Sequence, residues 1–137
     1  MPTLSPEELV AGRFYHAFQP GNAAALSDVL APDWVDHTLP PGRAQGIAGM
    51  QQALQQLQTL LPDLTTKVVK MITAADTVAV HLIFSGTHMG EAFGFSPTHR
   101  PVSFIAFDMH RISGGRIVES WHLEDNLALL TQIGIFA

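Results

Sequence analysis

The sequence predicts an α+β fold, with helices gathered on one face of a strongly curved antiparallel sheet, and three observations carry that prediction. Apolar residues recur at helical spacing from Leu9 to Leu61. Strand-like alternation takes over after Pro62-Asp63. Gly114-Gly115 then separates a long alternating run from its return, as the two positive-φ positions of a tight hairpin. A chain of 137 residues suits one compact domain, 1–137, with a single core.

Ser5-Pro6-Glu7-Glu8 starts the first helix: Ser5 caps, proline at the first helical position loses no needed donor, and Glu8 completes a capping box. Leu9, Val10, Phe14, Ala17 and Phe18 follow at helical spacing until Pro20-Gly21-Asn22 stops the run. A short helix fits Ala23 to Leu30, ahead of Pro32-Asp33 and the segment Trp34-Val35-Asp36-His37. Pro40-Pro41-Gly42 is a loop. A third helix runs from Ile47 to Leu61, with Ile47, Met50, Leu54, Leu57 and Leu61 on one stripe and glutamines on the wetter side. Thr65 to Thr73 is β-branched and aliphatic. Thr77 to Thr87 alternates, with Val78, Val80, Leu82 and Phe84 on one face and Ala79, His81 and Ile83 on the other. A loop rich in glycine and proline, Met89 to His99, precedes strands at Arg100–Ile112 and Arg116–Glu124, and a short helix covers Asn126 to Ile133. A bent sheet with helices across its mouth encloses a cone-shaped pocket, a natural small-molecule site.

Hydrophobic residues make up 47% of the chain and charged ones 14%, which excludes disorder. The formal charge is −5 and the basic residues are scattered, so no face is built for nucleic acid. The absence of cysteine excludes disulfides, thiolate metal sites and a cysteine nucleophile. MPTLSPEELV lacks the basic start and apolar core of a signal peptide, and no apolar run is long enough to span a membrane. The expectation is a soluble cytoplasmic protein. The histidines show no H-x-H, H-x-x-x-H or H-E-x-x-H spacing, and G-x-S-x-G elbows, phosphate-cradling glycine loops and dinucleotide fingerprints are absent.

The strings DHTLPPG, LLPDL, SGTHMGEAFGFSPTHRPVSF, HRISGGRIVESW and DNLALLTQIG, in this order and spacing, resemble the SnoaL-like polyketide cyclase family, which has the nuclear transport factor 2-like cone fold. The resemblance runs from Trp34 to Gly134. It implies an intramolecular aldol ring closure on a small hydrophobic carbonyl-containing substrate, with no metal and no organic cofactor. In the family's W-x-x-x-D…Q-x-G pattern the general acid/base falls on Asp125. The resemblance also implies a homodimer or higher homo-oligomer through the outer sheet face, where Ile105, Phe107 and Met109 want cover. The same scaffold hosts hydroxylases, isomerases and non-catalytic binding or assembly modules.

A plain two-residue hairpin at Gly114-Gly115 would set Ile112 opposite Ile117, His110 opposite Glu119 and Phe104 opposite Asp125. Phe104, Asp108, His110, Trp121 and Asp125 would then share the pocket face, with His122 and Glu124 turned away. Asp125 is either this acid/base or a helix N-cap. His110 either orients Asp125, or polarises a carbonyl, or is satisfied by Glu119. The family cyclases carry a histidine where Arg111 stands, and a one-residue bulge would exchange the faces of Arg111 and His110. His37 is placed at the pocket mouth or in an exposed loop, and His81 at the pocket or a core edge. Phe14, Trp34, Phe104 and Trp121 are pocket walls or core.

Overall fold

The computed structural model describes residues 3–91 and 94–135. Positions 92 and 93 of the glycine- and proline-rich loop lie outside that description. Helix α1 (Pro6–His16) begins with the expected capping box: the Ser5 hydroxyl accepts from the Glu8 N–H, and the Glu8 carboxylate accepts from the Ser5 N–H. A 3-10 turn (Ala23–Ala25) leads into the single-turn α2 (Leu26–Val29), and α3 spans Ile47–Leu60. The remaining strands are β2 (Thr65–Ala74), β3 (Thr77–Thr87), β4 (Pro101–Ser113) and β5 (Arg116–Glu124), followed by α4 (Asn126–Gln132).

One strand has no counterpart in the sequence reading. Leu30–Asp36 forms β1 and pairs parallel to β5, so the curled, unclosed sheet is mixed rather than antiparallel, in the order β1-β5-β4-β3-β2. Pro32 hides it. A proline is tolerated here because β1 is an edge strand, and its pairing is irregular between Leu30 and Val35.

Alternation decides which side of each strand is buried. Along β4, Phe104, Ala106, Asp108 and His110 are buried while Ile105, Phe107 and Met109 are exposed. β3 buries Val78, Val80, Leu82 and Phe84 on the same concave side. Helices α1 and α3 lay Ala11, Phe14 and Leu54 against that side, so one apolar core fills the curve of the sheet. Among the described residues no helix is long and apolar enough to cross a membrane.

Two glycines inside helices make opposite demands. A Cβ on Gly49 would stand 2.0 Å from the Ala44 carbonyl oxygen, because the loop before α3 crosses the helix's first turn there. A Cβ on Gly12 of α1 would meet nothing within 4 Å. Gly49→Ala should therefore destabilise by about 1–3 kcal/mol as the loop is pushed off. Gly12→Ala should stabilise by about 0.5–1 kcal/mol through helix propensity. Urea unfolding of the two variants tests this difference in sign.

Candidate active site

The chemistry of the concave face depends on one unpaired residue. In the β4–β5 hairpin Ile112 pairs with Ile117, but Arg111 pairs with Glu119, so Val118 is an extra residue on β5. Beyond it His110 faces Ser120, Asp108 faces His122 and Ala106 faces Glu124. Because side chains alternate, this single insertion turns Ser120, His122 and Glu124 toward the cavity and sends Trp121 and Leu123 outward.

Two polar constellations result. The first runs through five residues from α1, β1, β4 and β5. The Tyr15 hydroxyl donates to Asp108 Oδ2 at 2.6 Å and lies 2.9 Å from His110 Nε2. His110 Nδ1 is 2.7 Å from Ser120 Oγ, which accepts from the Trp34 indole N–H at 2.9 Å. Asp108 is 7% exposed and His110 1%. Burial disfavours the charged form of both. It raises Asp108 to about 7, against the lowering effect of the Tyr15 hydrogen bond, and lowers His110 to about 3. Tyr15 is pushed well above its usual range by burial and by the Asp108 charge.

The second constellation is a part-buried ionic triplet, in which Asp36 is buried and His122 and Glu124 are half-buried. His122 donates through Nε2 to Asp36 Oδ2 at 2.8 Å and through Nδ1 to Glu124 Oε1 at 2.6 Å. Burial alone would lower His122, but the two carboxylates outweigh it and raise the imidazole to about 10. Both ring nitrogens are thus committed, and His122 is a fixed cation. Asp36 also accepts from the Thr38 N–H and hydroxyl; burial raises its pKa, and the bonds from His122 and Thr38 more than reverse this.

Both constellations wall a cavity of about 160 Å³. Phe14, Phe18, Trp34, Leu54, Phe84 and Phe104 supply its apolar side, and Asp108, His110, Ser120 and the triplet its polar side. Pro40, Arg43 and Asn126 stand at the solvent end.

The family model for SnoaL-like polyketide cyclases matches residues 8–133. This chain belongs to the SnoaL-like polyketide cyclase family. Among solved structures it is similar to a putative polyketide cyclase from Bacillus cereus ATCC 10987, with 32% identity over 100% of this chain and 89% of that one and a TM-score of 0.86. It is also similar to IdmH, a putative polyketide cyclase from Streptomyces antibioticus, with 33% identity over 93% of this chain and 98% of that one and a TM-score of 0.84. AclR, a putative hydroxylase from Streptomyces galilaeus, is 22% identical over 98% of this chain and 84% of that one, with a TM-score of 0.85, and shares the fold. No curated protein sequence matches the chain significantly.

On this SnoaL-like framework the expected site residues divide. His110, Trp34, Phe14 and Phe104 line the cavity. Asp125 does not. It is exposed, its N–H bonds to the Ile105 carbonyl, and its carboxylate caps α4 by accepting from the Ala128 N–H at 3.0 Å. The bulge is the cause, since a plain hairpin would have turned Asp125 inward and Glu124 outward. The same reversal puts Trp121 on the convex side, where His37 stacks on it at 4.7 Å and bonds to Glu119. His81 also lies on the convex side, stacked on Phe107 at 4.8 Å. The sequence reading sets Asp108 on the pocket face without a role, turns His122 and Glu124 away, and gives no site role to Tyr15, Asp36 or Ser120. Two signals pointed to the site: Tyr15 is the chain's only tyrosine, and Asp108 and His110 are polar residues two apart on an otherwise apolar strand face.

These shifts give stability a pH dependence of definite sign. Asp108 titrates at about 7 when folded and near ~4 when unfolded, so the folded state holds the extra proton. Stability falls as pH rises through that window and levels off above it. His110, lowered to about 3, contributes the opposite slope between ~3 and ~6.5, so the comparison must be made against a variant. Asp108→Asn should match wild type near pH 4 and unfold at higher temperature at pH 8. His122, raised to about 10, contributes stability that is complete below ~6.5 and lost as pH rises through 10; His122→Gln should abolish that loss. Calorimetry from pH 4 to 10 reads both effects, and an Asp108→Asn curve parallel to wild type would mean an ordinary carboxyl.

Proposed function

We propose that this protein is a cofactor-independent cyclase that closes a ring by intramolecular aldol addition, with Asp108 as the general acid/base. The observation that carries the reading is a buried carboxyl on the cavity wall, balanced near neutral pH and held by one hydroxyl donor. As carboxylate, Asp108 takes a proton from a carbon next to a carbonyl and leaves an enolate. The enolate carbon attacks a second carbonyl of the same molecule, a carbon–carbon bond forms, and the new alkoxide recovers the proton from Asp108. Nothing is oxidised or reduced, and no water leaves.

Size supports a ring-sized reaction zone. A cavity of about 150 Å³ holds one benzene ring, so 160 Å³ accepts the closing ring while the rest of the substrate extends past Pro40 and Arg43. Apolar walls press the folded chain toward its reacting geometry. Family membership supports the polyketide character of the substrate.

The convex face, which exposes Phe107, Met109 and Leu123, is the surface we assign to a second copy of the chain. Leu123→Glu should shift a dimer to monomer in analytical ultracentrifugation.

Proton abstraction can be tested without the natural substrate. In D₂O the wild type should accelerate deuterium uptake at the methylene between two carbonyls of a short polyketide analogue, and Asp108→Asn should lose this about 10²–10⁴-fold. Asp125→Asn, which keeps a capping side chain, should retain full rate. An active Asp108→Asn, or a wild type that binds the analogue without exchange, would favour a binding module.

A further inference from the structure

Trp34 and Ser120 exchange no proton with substrate in the reaction proposed above, yet hydrogen-bond direction gives them a role. An indole N–H can only donate. Ser120 Oγ therefore accepts from Trp34 at 2.9 Å, and among the described residues its own proton has one partner, His110 Nδ1 at 2.7 Å. A neutral imidazole that accepts at Nδ1 carries its proton on Nε2. That N–H points at the Tyr15 oxygen, 2.9 Å away, and the Tyr15 proton then goes to Asp108 Oδ2 at 2.6 Å. Each proton of the chain has one receiver, and no two donors face each other.

The opposite direction leaves a donor unused at one end and, while Asp108 is ionised, sets two acceptors together at the other. A proton on His110 Nδ1 would leave the Ser120 hydroxyl without an acceptor among the described residues. Tyr15 would then donate to His110, and its oxygen lone pairs would confront Asp108 Oδ2 at 2.6 Å unless that oxygen were itself protonated. Among side chains this buried, such mismatches are costly.

We infer that Trp34 and Ser120 are positioning residues that lock His110 as its Nε2–H tautomer and thereby aim the Tyr15 hydroxyl permanently at Asp108 Oδ2. With Oδ2 committed as an acceptor, Oδ1 is the oxygen that exchanges protons with substrate. The inference rests on the reading of Asp108 as the acid/base for its consequence, but its first half is a property of the resting protein. The charged groups that face this chain across the cavity are Asp36, His122 and Glu124, which bond to one another and whose charges act on Asp108, and Arg43 at the solvent end.

The test is nitrogen-15 histidine NMR on the full-length protein, with kinetics on the same variants. In wild type at pH 7, His110 should show a protonated Nε2 and a bare Nδ1. Ser120→Ala and Trp34→Phe should each mix the tautomers, and Ser120→Thr, which restores the hydroxyl, should return the pure form. Without a dependable Tyr15 donor the Asp108 carboxylate is less favoured. The acidic limb of the exchange-rate profile should therefore move to higher pH in Ser120→Ala, with the rate down about tenfold and the analogue's KM unchanged. A wild-type His110 protonated on Nδ1 would overturn the inference whatever the variants do. So would a tautomer and pH profile unmoved in both Ser120→Ala and Trp34→Phe. An Asp108→Asn that still exchanges deuterium would instead remove the cyclase reading and leave the tautomer result standing.

Discussion

Between Ile117 and Glu119 the last strand holds one residue more than its partner, and the direction of every later side chain depends on that count. With Val118 unpaired, Ser120 reaches His110 and Trp34, and His122 reaches Asp36 and Glu124. In a plain register Trp121 and Leu123 would take those inward places, Asp36 would lose its cation, and His110 would lose its partner on Nδ1. Bulges cost ladder hydrogen bonds, and they persist where re-aiming side chains is worth more than regular pairing.

The inward residues are polar, and the protein keeps them folded by closing each group on itself. A carboxylate without a partner in such a place would cost several kcal/mol, on the order of the whole stability of a small domain. Asp36 meets this with three donors, one of them the His122 cation. Asp108 meets it with a single donor and a proton held until about pH 7. The two acids therefore have different capacities. Asp36 is saturated and stays charged, while Asp108 has one oxygen bonded to Tyr15 and a proton that leaves within the physiological range.

The fold was legible because its signals were local. Ser5 and Glu8 announced α1, Gly114-Gly115 announced the hairpin, and uninterrupted alternation along β4 put Asp108 and His110 on the buried side. The site was less legible because its signals are not local. Val118 is as strand-like as its neighbours, so nothing in composition marks the bulge. The run Ser120 to Glu124 also inverts the usual rule: its apolar members, Trp121 and Leu123, face out, and its polar members, Ser120, His122 and Glu124, face in. β1 escaped because Pro32 interrupts it and because its parallel partner lies far along the chain. Asp125 matched a motif position, yet its carboxylate serves the backbone of α4.

The contacts that join Tyr15 to Asp108 and Trp34 to Ser120 span 93 and 86 residues of sequence. Closures of that length are among the slowest in folding, because entropy is lost before the contact forms. A sheet assembled without α1 docked would hold Asp108 and His110 in an apolar hollow with no hydroxyl between them. Seating the first helix is thus the act that both completes the core and gives the Asp108 carboxyl its hydroxyl donor, so the last packing step and the tuning of that acid are a single event.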